Sequence, residues 1–210
     1  MPELPEVETT LRGVAPHIVD QVIDQLRVYN GSLRWPVTQG ISELTQGQLV
    51  VAITRRAKYL LVELERGTMM IHLGMSGSLR LVDRSEPRRK HDHIEMLMAN
   101  GACLRYHDPR RFGCCLWLER GELHPLLGKL GPEPLSANFD GKYLYGCSRG
   151  RKGPIKNFIM DAKVVVGVGN IYANEVLFLS GIHPRRPAGR ISRARYRVLG
   201  TNIKQVLTSA

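Results

Sequence analysis

The strongest constraint on the fold is a series of short apolar stretches that fill the first half of this 210-residue chain. They are rich in Val, Ile, Leu and Tyr, and glycine or polar turns separate them. This pattern predicts eight β-strands that form a sandwich or a barrel-like domain. The stretches cover residues 21–29, 49–56, 58–65, 68–74, 77–83, 92–98, 102–107 and 112–118.

Two local signals support this prediction. In the run 59–64, Leu60, Val62 and Leu64 alternate with their neighbours, so they share one face of a strand. Asn100-Gly101 stands between two such runs, and Asn-Gly in that setting is a strong hairpin signal.

The sequence changes character on both sides of the strands. Apolar residues at helical spacing, from Val7 to Ala15, predict a first helix that begins near Pro5. Residues 119–153 are rich in Gly, Pro and charge, with a short helix expected at 121–130, and helical patterns follow at 154–162, 170–180 and 191–208. We therefore predict an α+β fold with a catalytic sandwich domain at 1–120, a linker at 121–153 and a helical domain at 154–210.

Charge is distributed unevenly along the chain. The net charge is +11; residues 1–120 hold 16 Lys and Arg against 14 Asp and Glu, whereas residues 121–210 hold 14 against 5. A basic half of this kind favours a polyanionic partner, nucleic acid first, over a merely soluble basic surface. No stretch is long and apolar enough to span a membrane, and no signal segment is present, so we expect a cytoplasmic protein.

The four cysteines do not predict a metal site. Cys103, Cys114, Cys115 and Cys147 form no C-x-x-C pair and have no matching histidine spacing. Buried free thiols in strands are the expectation for the first three, and we predict no metal within this chain.

The first residues offer an unusual nucleophile. Removal of Met1 would expose Pro2 as a secondary amine, which attacks electrophilic carbon and forms an iminium intermediate. Glu3, directly beside it, could move a proton. The alternative is an ordinary chain end that precedes a helix.

A glycine-rich turn at 164–175 joins two of the predicted helices. Gly167 and Gly169 allow a tight turn, and Asn170 is placed to cap the following helix. Backbone N–H groups at such a helix start bind phosphate well, and Lys156 lies in the preceding helix. A turn between packed helices with no ligand is an equally good interpretation of this pattern.

Loops among the predicted strands carry further candidates. The segment 108–113 places Arg110 beside Phe112, a combination that suits phosphate contact and insertion of an apolar wedge into a base stack. Met75 lies on another glycine loop. The alternative is that Phe112 and Met75 fold back into the core.

Basic residues near the strand ends complete the candidate set. Lys58 enters a strand and could assist proton transfer or hold a phosphate. His72, His91 and His93 could contact phosphate or be partly buried strand histidines, and the spacing of His91 and His93 does not favour a metal.

Together these segments closely resemble formamidopyrimidine-DNA glycosylases, bacterial base-excision repair enzymes. The matching segments are 1–9, 56–61, 72–79, 90–93, 108–113, 130–135 and 167–175, in family order. The resemblance implies a helix–two-turns–helix architecture for the helical domain. It also implies a monomeric enzyme that excises oxidised purines, such as 8-oxoguanine and formamidopyrimidines, from double-stranded DNA. Strand cleavage by β- or δ-elimination at the resulting abasic site is expected to follow.

The resemblance also implies a role for each site residue. Pro2 is the expected nucleophile on the sugar C1′, Glu3 the acid that opens the sugar ring and Lys58 a proton donor in β-elimination. The expected DNA contacts are His72, His91, Arg110, Arg151, Asn170 and Lys156. Met75, Arg110 and Phe112 are expected to fill the gap left by the flipped nucleotide.

One departure from the family bears on activity. The family continues past Ala210 with a lesion-covering loop and a four-cysteine zinc finger that binds one structural zinc ion, so we expect no cofactor in this chain. Weaker DNA binding with intact Pro2 chemistry is one expectation, and a non-catalytic DNA-binding remnant is another. An endonuclease VIII-like glycosylase for oxidised pyrimidines is the nearest enzymatic alternative, which Leu4 and the Met75, Arg110 and Phe112 set disfavour.

Overall fold

The computed structural model describes residues 2–210 and divides them into two compact units. The first unit contains Pro2 and Glu6–His124, and the second contains Glu3–Pro5 and Pro125–Ala210. The predicted α+β fold is confirmed, with all eight strands in the first unit and most of the helices in the second.

The first unit is a sandwich of two four-stranded antiparallel sheets. One sheet has the strand order β1-β6-β7-β5 and the other β2-β3-β4-β8. The strands are β1 (Ile23–Val28), β2 (Val50–Arg56), β3 (Tyr59–Leu64), β4 (Gly67–His72), β5 (Ser78–Val82), β6 (Asp92–Met98), β7 (Cys103–His107) and β8 (Cys114–Glu119).

Side chains from both sheets meet in one apolar core. Leu60, Val62 and Leu64 of β3 are buried while their neighbours are not, as the alternation predicts. The Asn100-Gly101 turn joins β6 to β7 as an antiparallel hairpin, with Gly101 at a φ of 89°. Helix α1 (Leu4–Ile18) contributes Val7 and other residues of its apolar face to this core. The helix begins at Leu4, one residue before the proline at which the sequence predicts its start.

The second unit is helical. Its elements are α3 (Pro125–Gly128), α4 (Gly141–Ser148), α5 (Ile155–Met160), α6 (Asn170–Leu179), a 3-10 turn (Ala188–Arg190) and α7 (Arg193–Ser209). Gly181 follows α6 at a φ of 61°, and its N–H bonds to the carbonyl of Phe178, so it ends the helix as predicted.

Two short helices are absent from the sequence-based prediction. The first is α2 (Ile41–Thr45), in the first unit. The second is α4, which lies inside the predicted linker, where the Asp140 side chain caps its first turn and Leu144 is fully buried. Gly141 of α4 and Gly200 of α7 let the two backbones approach closely, because a Cβ at either position would meet backbone atoms at less than 3 Å.

Candidate nucleic-acid and catalytic site

The carboxylate of Glu3 is held at the start of α6. Its Oε2 accepts hydrogen bonds from the N–H groups of Gly169 (2.7 Å) and Tyr172 (3.3 Å), and its Oε1 accepts one from Ile171 (2.9 Å). The residue is 1% exposed. A helix N-terminus presents unpaired N–H groups and a positive dipole end, so it stabilises a carboxylate there. Glu3 is thereby anchored to a turn far along the sequence.

Glycine makes this anchorage possible. Gly167 has a φ of 84°, and its carbonyl accepts the N–H of Leu4 at 3.1 Å. A Cβ on Gly169 would lie 2.3 Å from the Glu3 Cδ, so no larger residue fits there without displacing the carboxylate. The G-x-G spacing in the sequence thus serves both the turn and the close approach of Glu3.

Asn170 does not cap α6, contrary to the sequence-based prediction. The residue at the cap position is Gly169, no side chain of the helix bonds to the first turn, and Glu3 fills that role instead. The side chain of Asn170 is exposed. Because the Glu3 carboxylate already takes the N–H groups of Gly169, Ile171 and Tyr172, those three donors are not available to a phosphate.

Pro2 precedes Glu3 and is partly exposed. Consecutive Cα atoms lie about 3.8 Å apart, so the anchorage of Glu3 confines Pro2 as well. Met1, whose removal the nucleophile hypothesis requires, lies outside the described residues.

Lys58 and His72 lie close together at one end of the sandwich. Lys58 follows Ala57, which has a φ of 56°, in the turn between β2 and β3. Tyr59, at the start of β3, pairs with His72 at the end of β4, and their ring centroids are 4.8 Å apart. The pairing of β3 with β4 thus brings Lys58 and His72 to the same end of the sheet.

His72 is a neutral hydrogen-bond donor. Burial, followed by the positive charges of Lys58 and Arg34, lowers the pKa of His72 from 6.5 to about 4. Its Nδ1 accepts the N–H of Gly74 at 3.0 Å, so the remaining ring proton is on Nε2. The imidazole therefore offers one donor and no charge to a phosphate at neutral pH.

Met75, Arg110 and Phe112 are exposed on two adjoining loops of the first unit. Met75 is 40% exposed and Phe112 45%, so neither folds back into the core. The Arg110 guanidinium lies 5.9 Å from the centroid of the Phe112 ring, and its Nε donates to Ser76 Oγ at 3.3 Å. An open cleft of about 640 Å³ adjoins these side chains; its lining residues are Ser32, Leu33, Arg34, Arg110, Arg111 and Phe112.

His91 and His93 differ in their surroundings. His91 is partly exposed, and its ring lies edge-on to those of His93 (6.2 Å) and His107 (6.0 Å). His93 is buried, and its Nε2 donates to the carbonyl of Asp108 at 2.8 Å. Of the two, His91 is the residue accessible to a ligand.

In the second unit, Arg151 is exposed and Lys156 is partly exposed on α5. The backbones of both are fixed, since the Arg151 N–H bonds to the Ser148 carbonyl and the Lys156 N–H to that of Pro184. Both side chains are available to an anionic ligand.

The structural zinc that the family resemblance implies finds no ligand set in residues 2–210. No group of three or more His, Cys, Asp or Glu in that range could hold a metal ion. Cys103, Cys114 and Cys115 are buried in strands, and burial raises the pKa of Cys114 to about 12. Such thiols are poor metal ligands, because the thiolate is the form that binds.

Sequence reasoning did not identify two residues of this region. Arg34 lies in an irregular segment with no periodicity, yet it lines the cleft and acts on His72. Asp108 opens the Arg-Arg-Phe segment but is completely buried, which its position before a proline and two arginines did not indicate. Only the folded structure, which shows the residues that surround Arg34 and Asp108, identifies them as part of this region.

Two family models match the chain. The formamidopyrimidine-DNA glycosylase N-terminal domain covers residues 1–115, and the formamidopyrimidine-DNA glycosylase H2TH domain covers residues 130–210. No helix among residues 2–210 has the combined length and apolar character that crossing a membrane requires.

Curated relatives match over the full chain. The formamidopyrimidine-DNA glycosylase of Stutzerimonas stutzeri is 56% identical over 210 residues, which are 100% of this chain and 78% of that protein. The protein of the same name from Alcanivorax borkumensis is 57% identical with the same coverage.

Solved structures agree with the fold. The Lactococcus lactis formamidopyrimidine-DNA glycosylase bound non-covalently to DNA with an abasic site is 33% identical, with a TM-score of 0.92 over 99% of this chain and 80% of that one. A variant of that protein in complex with DNA containing Fapy-dG gives a TM-score of 0.93 at 33% identity, over 100% of this chain and 78% of that one.

Proposed function

Because this chain belongs to the formamidopyrimidine-DNA glycosylase family, we propose that it excises oxidised purines from duplex DNA and then cleaves the strand at the abasic site. The observation that carries the proposal is the anchorage of Glu3 by three N–H groups at the start of α6, immediately after Pro2. Two reacting groups need fixed positions, and the backbone N–H groups of the α6 turn hold the Glu3 carboxylate in place beside Pro2. The L. lactis complexes with abasic and Fapy-dG DNA support the choice of substrate.

In the proposed first step, the Pro2 amine attacks C1′ of the damaged nucleoside. The bond from C1′ to the base breaks, and the base leaves and takes a proton from water. The Glu3 carboxylate accepts the proton that the attacking amine loses and passes it to the ring oxygen as the sugar ring opens, so that an iminium links Pro2 to C1′. Loss of a proton from C2′ then expels the 3′ phosphate by β-elimination, and Lys58 donates a proton to the departing phosphate. Water finally hydrolyses the iminium and frees the amine.

The remaining residues act on the DNA. His72, His91, Arg110, Arg151, Lys156 and Asn170 are the proposed contacts, with His72 neutral for the reason given above. Chemistry on the base requires its removal from the stack, at a cost of a few kcal/mol. Met75, Arg110 and Phe112 are exposed apolar and cationic groups on adjoining loops, and their insertion offsets part of that cost.

Borohydride trapping tests this proposal directly. Reduction of the iminium converts it to a stable amine, so protein mixed with an 8-oxoguanine duplex and borohydride should form a covalent adduct. Acetylation of the Pro2 amine should abolish the adduct. The matched control is Pro16→Ala, which alters an exposed proline inside α1 and should leave the adduct unchanged.

A second duplex separates the alternatives. An adduct that forms faster with an oxidised pyrimidine than with 8-oxoguanine would assign the chain to an endonuclease VIII-like activity. DNA binding without any adduct, in protein whose intact mass shows that Met1 is removed, would leave only a DNA-binding role.

A further inference from the structure

We propose that Asp108 is a positioning residue that holds the loops carrying Met75 and Phe112 in one fixed arrangement for insertion into DNA. The inference rests on the proposed function of Met75, Arg110 and Phe112 as the residues that fill the gap. Asp108 itself is 0% exposed and cannot touch DNA. Its effect is exerted through the groups that bond to it.

The Asp108 carboxylate connects three segments. Its Oδ2 accepts the N–H of Gly113 at 2.9 Å and faces the hydroxyl of Tyr106 at 3.2 Å. Its Oδ1 accepts the hydroxyl of Ser76 at 3.3 Å. The loop at 73–77 and the loop at 108–113 are thus joined through one side chain.

Ser76 extends this connection to the surface. While its hydroxyl donates to Asp108, its oxygen accepts from Arg110 Nε at 3.3 Å. The Arg110 guanidinium lies 5.9 Å from the Phe112 ring centroid. A continuous path therefore runs from the buried carboxylate to the exposed wedge.

The backbone around Asp108 is equally constrained. Its N–H donates to the carbonyl of His91, and its own carbonyl accepts from His93 Nε2 at 2.8 Å and from the N–H of Arg111 at 3.1 Å. Arg111 has a φ of 57°, an unusual conformation for a residue other than glycine. The turn that presents Phe112 is therefore held by every polar group of Asp108.

The two loops also touch without intervening side chains. A Cβ on Gly74 would lie 2.6 Å from the N of Gly113, and one on Gly113 would lie 1.8 Å from the Tyr106 hydroxyl oxygen. Burial and the Asp108 carboxylate raise the pKa of Tyr106, so its hydroxyl remains the donor. Because a buried carboxylate is costly unless hydrogen-bonded, the network is stable only while both loops keep their places.

Two substitutions separate positioning from folding. Asp108→Asn keeps one acceptor, which Gly113 requires, so the new amide must face Ser76, whose hydroxyl proton then has no acceptor in the network. Ser76→Ala removes the hydroxyl that joins Asp108 Oδ1 to Arg110 Nε. Ser76→Thr retains the hydroxyl and is the rescue variant, and Ser78→Ala on β5 is the matched control for loss of a nearby hydroxyl.

The readout is 2-aminopurine fluorescence in a duplex that carries the base analogue beside a tetrahydrofuran abasic site. We expect Asp108→Asn and Ser76→Ala to reduce the fluorescence change and to weaken binding to this duplex by about tenfold, the effect of one lost hydrogen bond to a charged group. Affinity for undamaged duplex should stay near wild type, and the melting temperature should fall by only a few degrees, the usual cost of one lost hydrogen bond in a chain of this size. Ser76→Thr and Ser78→Ala should behave as wild type.

A gapped substrate provides the decisive comparison. When the nucleotide opposite the tetrahydrofuran site is missing, less has to be filled, so both variants should regain wild-type affinity for the duplex. Equal fluorescence changes in wild type and both variants would overturn the positioning role. Absence of any fluorescence change in wild type would instead overturn the proposed function of the wedge, so the two failures are distinguishable.

Discussion

Two glycine-rich turns of this protein use the same backbone freedom for opposite purposes. The turn at 167–170, in the second unit, directs its N–H groups inward to the Glu3 carboxylate. The loops at 73–77 and 108–113, in the first unit, direct Met75 and Phe112 outward and bury the carboxylate of Asp108 beneath them. In each case one buried acid satisfies backbone N–H groups that a tight turn leaves unpaired.

The difference lies in what the acid holds. Glu3 is itself a proposed reacting group, so its hydrogen bonds set the position of a proton. Asp108 is buried away from DNA, so its hydrogen bonds set the position of other side chains. Substitution at the first turn should therefore affect chemistry, and substitution at the second should affect binding of distorted DNA.

The largest expected effect comes from Glu3→Gln. Loss of the acid should lower the rate of base excision by roughly 10²- to 10⁴-fold, the usual contribution of a positioned proton donor. The amide NH₂ group of the variant also faces backbone N–H groups of the α6 turn, and two donors cannot hydrogen-bond to each other. Single-turnover excision of 8-oxoguanine measures the rate. Glu6→Gln, the same change at an exposed position of α1, should have the wild-type rate, and a wild-type rate for Glu3→Gln would remove Glu3 from the mechanism.

The next effect concerns stability at acid pH. The pKa of His72 is about 4 in the folded protein and 6.5 in the unfolded chain, so the unfolded chain binds more protons between these values. Its contribution to stability is complete above pH 6.5 and is lost as the pH falls towards 4, by about 3 kcal/mol. Urea unfolding from pH 7 to pH 4 should show this loss in wild type and not in His72→Gln. Identical pH dependence in both proteins would contradict the buried neutral imidazole.

A pair of glycine substitutions compares the two turns directly. Gly169→Ala places a Cβ 2.3 Å from the Glu3 Cδ, and Gly113→Ala places one 2.3 Å from the His72 carbonyl oxygen. Both should lower the free energy of unfolding by about 1–3 kcal/mol, as overpacking usually does. On an abasic duplex with the opposite nucleotide missing, only Gly169→Ala should trap slowly. Equal trapping rates for the two variants would mean that the turns do not divide chemistry from positioning.

The smallest effect is on the salt dependence of DNA binding. Lys156→Gln removes a charge from the second unit and should reduce the slope of log K against log salt by about 0.9. His72→Gln should weaken binding with no change in slope, because the imidazole is neutral at pH 7. Titrations of labelled abasic duplex at several salt concentrations measure both. A smaller slope for His72→Gln would indicate that DNA binding protonates the ring.

The strands were predictable because their signal is local. Alternation in β3 and the Asn-Gly turn between β6 and β7 each lie within a few residues, and the structure confirms both. The helices α2 and α4 were not predicted. They span only five and eight residues, and packing of residues such as Leu144 stabilises them more than any periodic pattern does.

The site divides in the same way. Residue types alone identified Pro2, Glu3, Lys58 and the Met75, Arg110 and Phe112 set as candidates, and the roles assigned to them stay predictions. The cap of α6 was assigned to Asn170, because local rules favour a polar residue at the helix start. A carboxylate 166 residues away from Gly169 in sequence takes that place instead.

The sequence by itself determined the strand pattern, the uneven charge and the presence of an amine-forming proline beside an acid, because each depends on residue type and short spacing. Only the tertiary structure decided which N–H groups Glu3 accepts, that His72 is neutral and that Asp108 joins two loops. Those properties depend on burial and on contacts between residues distant in sequence, and hydrogen-bond geometry and desolvation exist only once the chain has folded.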